Sequence, residues 1–458
     1  MAKPKPPVQP GDSFELTVTG LSHTGDGVGK TEGGFAVFIP LALPGEKVRV
    51  KVTKVKKTYA HAGLEEVLKA SPDRVEAHCP VFEACGGCQL QHLAYPAQLD
   101  RKRRQVEDAF KRLGGLDHVR VLPVLGMEEP WYYRNKAQVP FGRGREGTVA
   151  GFYAAGSHQI VEFDQCMIQQ LPNDRTIQRV KKLAIELDIP PYDEKSHRGV
   201  LRHVLVRTGT NTGEVMVVLV TNGAYLPSHK RLVTRLREEI PGLTSIVQNI
   251  HTKRSNVVLG QENRVLWGKP VIVDTIGDIR FVISPHSFFQ VNPVQTKILY
   301  DQVKKAAALT GKETVIDAYC GIGTIGLYLA RDAAQVLGVE SIPQAVEDAR
   351  VNAEANGIEH ASFEAGKAEE IMPRWAEKGI RPEVIVVDPP RKGCDPEFLI
   401  ACTNMSPDRL VYVSCNPATL ARDAAFLVER GYRTEEVQPV DMFPHTNHVE
   451  CVTVFHPA

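Results

Sequence analysis

The chain has 458 residues, 43% apolar and 24% charged, the make-up of a soluble globular protein with room for roughly two to four domains. No stretch approaches the roughly 20 apolar residues of a membrane helix. The Lys- and Pro-rich start lacks the apolar run of a secretory signal, so the expected location is the cytoplasm, with no membrane partner. The net charge of +1 conceals an asymmetry: from His286 onward 16 Lys+Arg face 24 Asp+Glu, a net of −8, so residues 1–285 carry +9 and would grip a phosphate-rich partner.

Residues 1–10 read as a short disordered tail. Residues 11–70 read as all-β, with strand-like runs at Phe14 to Thr19, Phe35 to Ile39 and Lys47 to Val55 between Gly-rich turns. That pattern predicts a small barrel of OB-like type, whose last strand is made basic by Lys51, Lys54, Lys56 and Lys57. The chain has nine cysteines, an odd count without an export signal, which argues for metal binding or catalysis rather than a disulfide framework. Cys79, Cys85 and Cys88 form C-x5-C-x2-C, with Gly86 and Gly87 letting the backbone wrap closely, and Cys166 lies downstream. Four thiolates hold zinc or an iron–sulfur cluster, and the spacing alone favours neither.

Pro96 to Leu113 reads as an amphipathic helix that begins with the basic run Arg101 to Arg104. This run, Tyr133-Arg134-Asn135-Lys136, Arg143 and Arg145 are candidate phosphate contacts. Tyr132, Tyr133 and Phe288 are stacking partners for a base or members of the core. Strands at Val200 to Thr208, Val215 to Thr221 and Val271 to Asp274, with helices at Asp174 to Leu187 and Ser228 to Glu239, make residues 71–290 an α+β middle domain.

From residue 291 to 458 helix and strand alternate. Helices are predicted at Val294 to Ala308, Ile325 to Ala330, Pro343 to Asn356 and Pro417 to Glu429. Strands are predicted at Val315 to Ala318, Gln335 to Val339, Val384 to Val387, Leu410 to Ser414 and His448 to Phe455. This is the rhythm of a Rossmann-like parallel sheet. The first strand runs into Asp317-Ala318-Tyr319-Cys320-Gly321-Ile322-Gly323-Thr324-Ile325-Gly326, a glycine turn for close approach to a ligand. Glu340, at the end of the next strand, suits the two ribose hydroxyls of NAD or of S-adenosylmethionine. The acidic Asp317 favours the second, whose methionine end carries an ammonium and a sulfonium. Asp388-Pro389-Pro390-Arg391, at the end of a further strand, points the same way, because a dehydrogenase has no use for two prolines there.

A D-P-P turn alone would suit methylation of an exocyclic amine, and an amine-directed enzyme using Asp388 is the alternative. Cys415, in Ser414-Cys415-Asn416-Pro417, follows a strand at the same sheet edge, and Glu450 lies near the start of the final strand. If that strand is antiparallel, the two meet. Together they suit carbon 5 of uracil, a poor nucleophile until a thiolate adds to carbon 6, after which a base must remove the carbon 5 proton. Cys320, Cys394, Cys402 and Cys451 lack such a context and read as structural.

Phe288-Phe289-Gln290-Val291-Asn292, Asp317 to Gly321, Asp388 to Arg391, Ser414 to Pro417 and His448-Val449-Glu450 together resemble the motif series of the RNA 5-methyluridine methyltransferases, and residues 11–70 resemble a TRAM domain, an RNA-binding barrel. The resemblance implies that Gln290, Tyr319, Glu340 and Asp388 contact S-adenosylmethionine, that Cys415 is the nucleophile and that Glu450 accepts the proton. It also implies a [4Fe–4S] cluster on Cys79, Cys85, Cys88 and Cys166, and an RNA partner that is 23S rRNA, with tRNA as the alternative. The target base would have to be flipped out of its stack to reach Cys415.

Overall fold

A computed structural model describes residues 6–145 and 147–458. Residues 1–5 of the expected tail lie outside the described residues; residues 6–10 carry no helix or strand, and the Gln9 amide donates to the Asp12 carboxylate.

Alternation of apolar and polar residues closes the first domain. In Lys47–Val55 the side chains of Val48, Val50 and Val52 point inward, while Lys47 and Lys51 point out. Five strands close a barrel in the order Ser13–Leu21, Gly27–Lys30, Ala36–Ile39, Tyr59–Lys69, Lys47–Val55. The barrel's last strand is therefore Tyr59–Lys69, not Lys47–Val55. Its Ala-, Leu- and Glu-rich sequence carries little β preference, and partners on both sides hold it in the sheet. Lys51, Lys54, Lys56 and Lys57 are all exposed.

The middle of the chain forms a seven-stranded sheet in the order Glu262–Gly268, Leu243–Ile250, Val215–Thr221, Leu201–Thr208, Lys136–Arg143, Thr148–Tyr153, Ile160–Glu162. Every side chain of Val215–Thr221 is buried, as the centre of a two-sided sheet requires. Helices Leu171–Glu186 and His229–Glu239 cover one face. The other face packs on the hairpin Ile272–Ile276/Ile279–Ile283 and, through Phe289 and helix Pro293–Ala307, joins the core of the last domain.

That last domain is doubly wound. Its strands are β1 (Thr314–Ala318), β2 (Gln335–Glu340), β3 (Ala361–Ala365), β4 (Val384–Val387), β5 (Arg409–Ser414), β6 (Glu436–Val440) and β7 (Glu450–Pro457), in the order β3-β2-β1-β4-β5-β7-β6. β1 to β5 are mutually parallel, and β7 lies antiparallel between β5 and β6. Both faces carry helices.

The sheet does not stop with its own residues. Arg120–Val121 adds a further strand parallel to β6, and helix Tyr95–Arg112 packs Val106 and Phe110 into the same apolar face as Leu420 and Ala424 of helix Pro417–Glu429. This overturns part of the reading of the basic run. Lys102 lies on the buried side of its helix, and its Nζ is 2.5 Å from Asp441 Oδ1 with both groups shielded from water. Arg101 donates to the Ser22 carbonyl, Arg103 pairs with Glu107 and Arg104 with Asp100. Among the described residues no helix is long and apolar enough to cross a membrane.

Candidate active site

The parallel strands end at one edge, and there a cavity of about 720 Å³ is lined by Gln290, Tyr319, Glu340, Asp388, Cys415 and Glu450. All six were singled out from sequence, and they come from separate segments brought together by the strand order. A ligand crevice outside the carboxyl ends of the strands is the rule for open α/β sheets.

Local sequence explains each placement. After β1 the chain turns sharply through Tyr319 (φ +66°), Gly321 (+56°) and Gly323 (+81°) before helix Thr324–Ala330. Tyr319 is the one that carries a Cβ, and a bulky residue in this region signals a constraint on the backbone. Its ring packs against Phe398 with centroids 5.2 Å apart. Gly326 has to be glycine, since a Cβ there would sit 2.8 Å from Asp317 Oδ2. The Glu340 carboxylate is held at the tip of β2 by the amides of Gly321 (3.1 Å) and Ile342 (2.8 Å). Asp317 accepts from the Gly326 amide at 2.7 Å through one oxygen, while its other oxygen is buried with no partner among the described residues. Burial, with Asp388 and Glu340 adding repulsion, pushes the Asp317 carboxyl up to about 7. An orphaned acidic oxygen and a fixed ribose-type carboxylate fit a cationic adenosyl ligand.

The antiparallel pairing decides the rest. Ser414 is paired with Cys451, so one step along the ladder sets Cys415 opposite Glu450. Asn416 then caps helix Pro417–Glu429, its side chain accepting from the Ala418 amide at 3.1 Å and donating to the Arg391 carbonyl at 2.9 Å. The cap ties the Cys415 turn to the loop after Asp388. Glu450 is buried, and burial and then Asp388 hold its carboxyl well above the usual range, against the pull of Arg391. Burial alone raises Asp388. Burial, Glu450 and Asp388 push the Cys415 thiol up to about 11, with Arg391 opposing. The site thus holds the thiol of Cys415 and three carboxyls, Asp317, Asp388 and Glu450, all raised by burial, beside the guanidinium of Arg391.

The structure adds residues that spacing did not reveal. Phe443 and His448 line the cavity, and His448 Nε2 lies 3.4 Å from an Arg391 nitrogen. Both His448 and Arg391 stand inside motifs already noted, which is the signal that marks them. Phe288 is 65% exposed at the cavity wall, whereas Tyr133 is core, its hydroxyl donating to the Pro444 carbonyl at 3.0 Å. Gln290 is nearly buried, and the Asn135 side chain anchors its carbonyl at 3.2 Å.

A second cavity, of about 250 Å³, is lined by Cys79, Cys85, Cys88 and Cys166 together with Arg134 and Lys136. The loop Cys85 to Cys88 is pinned by the Gly86 amide, which donates to the Tyr153 carbonyl at 3.0 Å. Burial pushes all four thiols up, Cys88 and Cys166 to about 12. Burial, then Arg207 and Arg134, pulls Lys136 down to about 7. Among the described residues no group of three His, Cys, Asp or Glu side chains is arranged to hold one metal ion. The four cysteines share one cavity, and thiolates are the side chains that ligate iron–sulfur clusters.

A doubly wound sheet with an adenosyl-type crevice, joined to a closed barrel, defines the class of a methyl-transferring enzyme with a nucleic-acid-binding appendage. Comparison with known proteins agrees. Residues 7–64 match the TRAM domain, and residues 228–456 match the tRNA (uracil-5-)-methyltransferase family. The chain is 56% identical over 454 residues to an uncharacterized RNA methyltransferase of Halalkalibacterium halodurans, covering 99% of each chain, and 51% identical over 450 residues to one of Bacillus cereus, covering 98% of each. The crystal structure of Pyrococcus abyssi tRNA (uracil-54, C5)-methyltransferase in complex with S-adenosyl-L-homocysteine is similar with a TM-score of 0.77 and 30% identity, covering 96% of this chain and 100% of that one. The chain therefore belongs to the tRNA (uracil-5-)-methyltransferase family and is an S-adenosylmethionine-dependent RNA methyltransferase with a TRAM domain.

Proposed function

We propose that this protein methylates carbon 5 of a uridine in RNA, with Cys415 as nucleophile and Glu450 as the proton acceptor. The observation that carries the reading is the β5–β7 pairing, which brings a thiol and a buried carboxyl to one wall of the crevice. S-adenosylmethionine supplies an electrophilic methyl group, and Gln290, Tyr319, Glu340 and Asp388 are the residues proposed to hold it. Cys415 gives its proton to water, recovering one when it is released, and its sulfur adds to carbon 6 of the uracil, leaving carbon 5 electron-rich. Carbon 5 takes the methyl group and then carries both the methyl and its original hydrogen. Glu450 removes that hydrogen as a proton, the electron pair re-forms the 5,6 double bond, and the carbon–sulfur bond breaks to release Cys415. One methyl cation enters and one proton leaves, so the step balances. Arg391 favours the thiolate and the ionised Glu450.

The four cysteines are proposed to hold a [4Fe–4S] cluster. Their convergence on a cavity of about 250 Å³ beside the cationic Arg134 supports this, because a cluster with four thiolates carries net negative charge. Methyl transfer needs no electrons, so the cluster's part is structural.

The RNA is proposed to be 23S rRNA, on the resemblance to the subgroup that combines a TRAM domain with this cysteine set. The second reading, tRNA, is favoured by the activity named for the similar Pyrococcus abyssi enzyme. The test is tritium release from RNA labelled at carbon 5 of uridine, with 23S rRNA and tRNA run in parallel. Release from one RNA and its loss in Cys415→Ala is the expected result. Methyl incorporation without tritium release would assign the methyl group to another atom and favour the amine-directed reading through Asp388.

A further inference from the structure

The segment Asp441 to Val449, between β6 and β7, delivers Glu450, Phe443 and His448 to the crevice. Residues far away in sequence grip it almost throughout. Lys102 Nζ binds Asp441 and donates to the Phe443 carbonyl at 3.0 Å, and the Tyr95 hydroxyl donates to Asp441 at 2.9 Å. His445 is the centre of this grip. It is 2% exposed and adopts φ +66°, a conformation that a residue with a Cβ keeps only when its surroundings hold it.

What holds His445 is the pair of residues that follow the cysteine loop, together with Trp131 and helix Tyr95–Arg112. Its carbonyl accepts from the amides of Gln89 and Leu90, both at 3.0 Å, immediately after Cys88. Its ring stacks on Trp131 with centroids 3.7 Å apart and planes 18° from parallel, and Trp131 stacks in turn on His78, the residue before Cys79, at 4.9 Å. Gln98 closes the frame, accepting from the His445 amide at 3.0 Å and meeting its Nδ1 at 3.2 Å. Both ends of the Cys79–Cys88 loop therefore bear on the residue five places before Glu450.

We propose that the cysteine loop positions Glu450 through His445: the His78–Trp131–His445 stack and the Gln89 and Leu90 amides set the register in which the β6–β7 segment enters the crevice. The inference rests on the proposed roles of Glu450 and of the four-cysteine cluster. His445 and Trp131 touch no reacting atom and are positioning residues. Loss of the stack should affect the step that Glu450 performs more than the steps that precede it. With the proton acceptor displaced, Cys415 still adds and the methyl still transfers, but the product stays bonded to the enzyme.

The test compares wild type with Trp131→Ala, Trp131→Phe, His78→Ala, Cys85→Ser and Glu450→Gln, using full-length protein prepared anaerobically. Four quantities are read: turnover, affinity for S-adenosylhomocysteine, iron content and covalent protein–RNA adduct on denaturing gels. Trp131→Ala should keep wild-type iron and S-adenosylhomocysteine affinity, lose on the order of 10–100-fold in turnover and accumulate adduct as Glu450→Gln does. Trp131→Phe should restore turnover, and His78→Ala, at the outer end of the stack, should show the same defect more weakly. Cys85→Ser should lose iron and accumulate adduct. Wild-type turnover in Trp131→Ala, or reduced turnover without adduct, would overturn the proposal, as would Glu450→Gln without adduct, which also removes the role of Glu450. Iron-free wild-type protein would defeat the cluster alone and leave the Trp131 result to decide the coupling.

Discussion

Cys415 stands alone beside the carboxyls of Asp388 and Glu450 and the guanidinium of Arg391 at the edge of a parallel sheet, whereas Cys79, Cys85, Cys88 and Cys166 line one cavity with Arg134 and Lys136, and the Cys166 amide donates to Asp174. Burial raises the thiol pKa in both places. The difference lies in what offsets burial. The cluster proposed for the four cysteines would hold all of them as thiolates, and the neighbouring Arg134 suits the charge that would result. At Cys415 the carboxyls of Glu450 and Asp388 add to the effect of burial, and Arg391 opposes it. Four cysteines around one cavity suit a set of ligands, whereas a lone cysteine in the crevice suits a nucleophile.

The comparison breaks most decisively at Glu450. Glu450→Gln keeps the shape but removes the proton acceptor, and turnover should fall by roughly 10²–10⁴-fold. The same variant has a stability signature. The folded Glu450 carboxyl is raised above its unfolded value of about 4.3, so wild type is penalised increasingly as pH climbs from that value through the raised one. The variant should therefore melt higher than wild type at pH 8, with the gap shrinking towards pH 5, as melting curves across that range would show. On the other side, Cys85→Ser should lower iron from about four per chain to near zero, read by elemental analysis, while Cys415→Ala keeps its iron. A smaller effect is expected at Arg391, which pulls against the raised Cys415 thiol. Arg391→Leu should slow adduct formation at neutral pH by up to about tenfold, the equivalent of one pH unit, with recovery as pH rises because the reactive form is the thiolate. The mildest change belongs to the barrel. Replacing Lys51 and Lys54, exposed and outside every ion pair among the described residues, should weaken RNA binding a few-fold and flatten its salt dependence, by roughly 0.7–0.9 for each phosphate that is no longer neutralised.

The two regions also differ in how far the sequence alone reveals them. Glu340, Asp388 and Cys415 were legible because they lie at strand ends, which in a doubly wound sheet share one edge, whereas Gln290 and Tyr319 came from the family resemblance alone. The antiparallel β7 was the condition on which the meeting of Cys415 and Glu450 depended, and the register supplies it. The short strand β3, Ala-Ser-Phe-Glu-Ala, went unread because only one side chain in five is buried. β6, Glu-Val-Gln-Pro-Val, carries a proline that argues against a strand, yet it pairs with both β7 and Arg120–Val121. Lys102 defeated the reading of a basic run because its partner Asp441 lies 339 residues away. The His445 frame is invisible for the same reason: its parts come from the cysteine loop, helix Tyr95–Arg112, Trp131 and the β6–β7 segment, and no local pattern joins them.

The central claim, covalent attack by Cys415 on carbon 6 followed by proton removal at carbon 5, is tested most directly by RNA carrying 5-fluorouridine at the target position. Fluorine cannot leave as a proton, so the cycle must halt after methyl transfer with the base still bonded to the enzyme. The account predicts a stable adduct whose mass includes the transferred methyl group and whose peptide map places the bond on Cys415. An adduct on another residue, or methylated RNA released with no adduct, would contradict it.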